Sequence, residues 1–75
     1  MNHPKTDSIL AVLNAHGRVV IHMNRASGFT QIKITKSKGR YIIRTVPGGR
    51  LVQSSLAGVT LTLESNRMFI EAWKA

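Results

Sequence analysis

From residue 8 to residue 63 the chain has no carboxylate, yet that stretch holds Arg18, Arg25, Lys33, Lys36, Lys38, Arg40, Arg44 and Arg50. The only acids are Asp7, Glu64 and Glu71. No fold built on this sequence can bury the bases in internal ion pairs, and an unpaired buried charge is too costly to keep. The bases must therefore line the surface, and the core must come from the apolar residues between them. With a formal net charge of +8, the folded chain presents a positive field to its surroundings. A polyanion is the simplest compensating partner. A basic surface kept only for solubility is the plainer alternative.

Seventy-five residues make one small domain, 1–75. A chain of this size buries only about 60% of the surface its unfolded form exposes. Its stability should be roughly 4–11 kcal/mol. The 43% hydrophobic content is near the globular norm, so the chain is expected to fold. A homodimer sharing a core that one copy leaves incomplete is expected. The absence of Cys excludes disulfide scaffolds, thiolate zinc sites and cysteine nucleophiles. The longest apolar run, Ile9–Leu13, is far below the ~20 residues needed to span a bilayer. It is also too short for a signal peptide, so a cytoplasmic protein without membrane partners is expected.

The pattern predicts an α+β fold, one N-terminal helix followed by a small antiparallel sheet of four or five strands. Residues 1–5 read as a frayed start, and Thr6, Asp7 and Ser8 are candidate N-caps. Ile9, Val12, Leu13 and His16 recur at helical spacing, and Gly17 suits the left-handed stop, which gives a helix over about 7–16. The remainder, 18–73, reads as β. Arg18–Asn24 alternates with Val19, Ile21 and Met23 on one face. Phe29–Lys36 and Tyr41–Val46 flank a Ser37–Arg40 loop and form a hairpin over about 29–46. Pro47-Gly48-Gly49 breaks the chain, and 50–57 fits either helix or strand. Val59–Glu64 alternates as a strand, and Met68–Trp73 supplies the last one.

The hairpin register follows from the loop. A two-residue Lys38-Gly39 turn, or a four-residue Ser37–Arg40 loop, sets Lys36 against Tyr41, Ile34 against Ile43 and Lys33 against Arg44. A three-residue loop would pair Ile34 with Ile42. The first register is preferred because it gathers Ile32, Ile34 and Ile43 on one face.

Charge density picks out the hairpin as the candidate site. Lys33, Lys36, Lys38, Arg40 and Arg44 fall within twelve residues, with Arg25 and Arg50 extending the charge and Tyr41 available to stack on a base. The reading is a non-enzymatic protein that binds DNA or RNA mainly through backbone phosphates, in the manner of a small regulator. A two-stranded ribbon also fits the DNA major groove. Lys and Arg on a strand have a bland use too, as charges that stop an edge from pairing with another sheet. A second functional reading is a basic interaction module or inhibitor that docks an acidic protein. A third is a small ribonuclease using His16 or His22 with Arg44.

Other motifs are weak. Gly48-Gly49-Arg50 lacks the longer pattern and lysine of a phosphate-binding loop, so it reads as a turn and no cofactor is expected. His3, His16 and His22 lack the companions of a metal site, and none is expected. Phe29 is expected to pack on the helix, and Trp73 in the core or an interface.

Overall fold

The computed structural model of the chain describes residues 2–49 and 51–75. In chain order the elements are α1 (Pro4–His16), β1 (Arg18–Met23), β2 (Gln31–Ser37), β3 (Arg40–Val46), β4 (Leu51–Ser54), α2 (Leu56–Asn66) and β5 (Ile70–Lys74). Single 3-10 turns at Arg25–Ser27 and Arg67–Phe69 connect β1 to β2 and α2 to β5. The strands form one five-stranded antiparallel sheet in the order β4-β3-β2-β1-β5. The α+β class, the N-terminal helix and an antiparallel sheet of five strands agree with the pattern, but Val59–Glu64 is not one of those strands. The second helix does not follow from it.

Helix α1 starts earlier than its polar residues suggest. His3 is the N-cap, its ring nitrogen Nδ1 accepting from the Lys5 N–H at 3.1 Å, and Pro4 occupies the first helical position. Proline is at home there because that N–H has no helical partner anyway. Thr6, expected as a cap, is instead fully buried, and its hydroxyl donates to Glu64 Oε2 at 2.6 Å. The other Glu64 oxygen accepts the His3 N–H at 3.1 Å, so one carboxylate ties α2 to the start of α1. Gly17 ends the helix with φ 72°, its N–H bonded to the Leu13 carbonyl. His16 is exposed rather than part of the buried stripe.

The segment Val59–Glu64, read as a strand, is the centre of α2. Helical spacing buries Val59 and Leu63 and leaves Leu61, the third member of the apparent β face, 68% exposed. Ser55 caps the helix by accepting the Gly58 N–H at 3.2 Å. The two threonines that favour a strand are absorbed by the helix: Thr60 donates to the Leu56 carbonyl and Thr62 to the Gly58 carbonyl, each at 2.9 Å. Residues 51–54 of the ambiguous stretch are strand β4. The last strand begins at Ile70, because Arg67–Phe69 still coil as a 3-10 turn.

Both helices lie on one side of the sheet. Ile9 and Leu13 of α1 and Val59 and Leu63 of α2 meet Val19, Ile21 and Met23 of β1. Ile32, Ile34, Ile43 and Ile70 complete this core, with Tyr41, Phe69 and Trp73 packed at its margin. Among the described residues no helix is long and apolar enough to cross a membrane.

Candidate nucleic-acid interface

Successive side chains of a strand point to opposite faces, so the pairing register assigns every strand residue to the helix-covered face or the bare one. The rows Val19↔Ile34↔Ile43↔Val52 and Trp73↔Ile21↔Ile32↔Thr45 lie under the helices. Their neighbours lie on the bare face. One bare row runs Lys74↔Val20↔Lys33↔Arg44↔Leu51 across all five strands. The next, Arg18↔Thr35↔Ile42↔Gln53, leads to the Ser37↔Arg40 pair beside the turn. On the other side lies Ala72↔His22↔Gln31↔Val46.

Among the described residues five cations therefore share the bare face: Arg18, Lys33, Arg40, Arg44 and Lys74. The two helical acids, Asp7 and Glu64, are on the far side of the sheet. Glu71 is at the outer edge, where the β1–β5 register skips from Ala72 to Ile70. Lys33 and Arg44 are directly paired, as the preferred register required. Like charges opposite each other oppose pairing by a few tenths to about 1 kcal/mol. A bound anion would turn that repulsion into shared attraction.

The hairpin turn is the two-residue kind. Lys38 and Gly39 have φ 51° and 77°, the left-handed pair of a tight hairpin. Glycine adopts this geometry freely, but lysine does so at a cost of roughly 1–2 kcal/mol. Asn would fit better, yet the sequence places a cation at the tip.

Of the residues singled out from the sequence, Lys33, Arg40 and Arg44 lie together on the bare face. Lys38 is exposed at the tip between the faces. Lys36, paired with Tyr41, points to the helix side but is exposed. Arg25 lies in the 3-10 turn after β1, and Arg50 lies outside the described residues. Tyr41 is half-buried at the core margin beside Leu10 and Leu13 of α1, not on the bare face. Phe29 lines a groove with Ile43, Pro47 and Val52. Two members of the cationic face, Arg18 and Lys74, lie outside the hairpin that charge density picks out. Arg18 was legible from its alternation with Val19, but Lys74 joins only through the distant β1–β5 pairing.

Two strand-level expectations also change. β2 and β3 are each paired on both sides, so the basic hairpin is not a free ribbon able to enter a groove. For the same reason its Lys and Arg are not guards on an exposed edge. Of the two histidines considered with Arg44, His16 closes α1, whereas His22 lies on the bare face with Arg44, with β2 between their strands. Among the described residues no cluster of three or more His, Cys, Asp or Glu gathers as a metal site.

The Glu64 carboxyl is held below the ordinary carboxylate range, first by the Thr6 hydroxyl and then by the His3 N–H. It is a structural tie on the helical side.

Comparison with protein-family models, curated proteins and solved structures gives no match to the chain.

Proposed function

We propose that the protein is a non-enzymatic binder of nucleic acid that grips the phosphate backbone with the bare face of its sheet. The observation that carries this reading is the gathering of Arg18, Lys33, Arg40, Arg44 and Lys74 on one helix-free face, with Glu71 alone at its rim. Such a face holds a sustained positive potential, and neutralising phosphates releases condensed counterions. The molecule's long dimension of 32 Å would cover about nine base pairs at 3.4 Å per step.

Duplex is favoured over single strand. Proteins that hold single strands combine cationic grooves with aromatic platforms for the bases. Here Tyr41 and Trp73 belong to the helix-covered face, and the bare rows contain no Phe, Tyr or Trp. Contacts confined to phosphates position a protein without reading sequence, so affinity should exceed specificity. Such a protein works where nucleic acid is accessible, which in this reading is the cytoplasm.

The test is a competition at matched ionic strength among duplex DNA, duplex RNA, single-stranded DNA and polyglutamate. Preference for a duplex supports the reading. Polyglutamate binding as tight as duplex binding would transfer the face to an acidic protein partner.

A further inference from the structure

The bare face is not level. Beside the hairpin turn it dips into an open concavity of about 390 Å³ lined by Ser37, Lys38, Arg40, Ile42 and Gln53. The register explains the grouping. Ser37 and Arg40 pair at the end of the hairpin and Ile42 pairs with Gln53 on β4, so these four share the bare side. Lys38 closes the concavity from the tip. Among the described residues it is the one non-glycine with a positive φ. Costly backbone states of this kind recur at ligand clamps, where the surrounding structure holds them in place.

The lining mixes three chemistries. Lys38 and Arg40 are exposed cations, Ser37 and Gln53 are exposed neutral hydrogen-bonding groups, and Ile42 is apolar and half-buried. A site for phosphate alone has no use for Ile42 or for a carboxamide. A nucleotide uses every part: its phosphate meets the cations, its base an apolar surface, and its base edge a donor beside an acceptor. The Arg40 guanidinium plane can stack on a base as well as bind phosphate. The Gln53 carboxamide is the usual match for the edge of adenine. The volume falls in the ~300–1,000 Å³ range of small-ligand sites. No Phe, Tyr or Trp lines the concavity to carry a run of stacked bases, which limits the occupant to one. Given a duplex on the bare face, we propose that this concavity takes a single unpaired nucleotide leaving the duplex end, its phosphate on Lys38 and Arg40 and its base against Ile42 and Gln53. The site rests on the proposed function and adds a base contact to it. It lies at the turn end of the sheet, beyond the row from Lys74 to Leu51, so the nucleotide can enter while the paired region stays on that row.

The test is fluorescence anisotropy of the full chain with three forms of one DNA duplex. One is blunt, one carries an unpaired adenine nucleotide at its ends in each strand polarity, and one has an abasic nucleotide in that place. The wild type should bind the better adenine form about fivefold or more tighter than the blunt one, the low end for one specific base contact. The abasic form, which keeps the phosphate, should give a smaller gain. In Gln53→Ala, checked for folding by circular dichroism, the adenine gain should fall toward the abasic level. Adenine forms no tighter than the blunt duplex overturn the site and leave the duplex reading standing. So does a gain that the abasic form reproduces, or one that Gln53→Ala keeps in full. If the wild type binds no duplex, the proposed function fails, and titration with adenosine monophosphate decides on the site by itself. Amide NMR shifts centred on Ser37, Arg40 and Gln53 then support it, and shifts that are absent or spread to Val20 and Ala72 overturn it.

Discussion

The two faces of the sheet are made by the same strands and differ in everything except backbone. Under the helices, Val19, Ile21, Ile32 and Ile34 are at most 1% exposed. One residue away along each strand, Arg18, Lys33 and Arg44 stand in solvent. Alternation lets four short segments encode a core and a cationic surface at once, with little cross-talk between them. Mutations on the two faces should therefore fail in different assays, and this separation can be broken or sharpened one substitution at a time.

The largest effect belongs to the covered face. Ile34→Ala, at a fully buried position in the central strand, should cost about 2–5 kcal/mol, a large share of a total near 4–11 kcal/mol. Urea unfolding measures it, and a loss below about 1 kcal/mol would mean that this face is not the core. On the bare face, Lys33→Ala/Arg44→Ala should leave the urea midpoint unchanged or raise it slightly, because a like-charge pair disappears. Duplex binding should weaken about 60-fold at roughly 0.1 M salt, two lost phosphate contacts extrapolated to 1 M. A large loss of stability in this variant would merge the two faces.

The turn joining the faces gives a smaller effect. Lys38→Asn relieves a left-handed lysine and should stabilise by a few tenths to about 1 kcal/mol, read as a higher urea midpoint. If it also weakens duplex binding, the tip belongs to the interface. If not, the interface stops at the sheet.

The smallest effect is a pH dependence confined to the helical side. Glu64 has a lowered pKa in the folded chain, so its contribution to stability is complete above the ordinary carboxylate value of about 4.3. That contribution is lost as the pH falls through the lower folded value, because the folded carboxyl must then take up its proton. Urea midpoints measured from pH 6 downward should decline below about pH 4.3, and the decline should be shallower in Glu64→Gln. Identical pH profiles would remove the tie between α2, Thr6 and His3.

Sequence reading succeeded where structure is set locally. Gly17 stops α1, and Lys38-Gly39 permits a tight turn that fixes seven cross-strand pairs of the hairpin in one stroke. It failed where local preference and tertiary packing disagree. Val59, Thr60, Leu61 and Thr62 favour a strand, but burying Val59 and Leu63 on one side of a capped helix closes the core over β3. The Ser55 cap and the four-residue step from Val59 to Leu63 were the available signals. The candidate site divided in the same way. Lys33, Arg40 and Arg44 were legible because hairpin register is local. Lys74 was not, since β5 reaches β1 only after a helix whose existence the pattern hid, and Tyr41 was misjudged because its side of the sheet depends on where the helices lie.

The most direct test of the central claim compares two variants of equal charge. Lys33→Ala/Arg44→Ala and Arg25→Ala/Lys36→Ala both lower the formal charge from +8 to +6 (8 − 2 = 6), the first pair on the bare face and the second away from it. Duplex binding is followed by fluorescence anisotropy across a salt series. Five bare-face contacts predict a log–log slope of about −4.5 for the wild type, near −2.7 for the first variant and close to wild type for the second. Equal slopes in the two variants, or no duplex binding by the wild type, would contradict the assignment of function to the bare face.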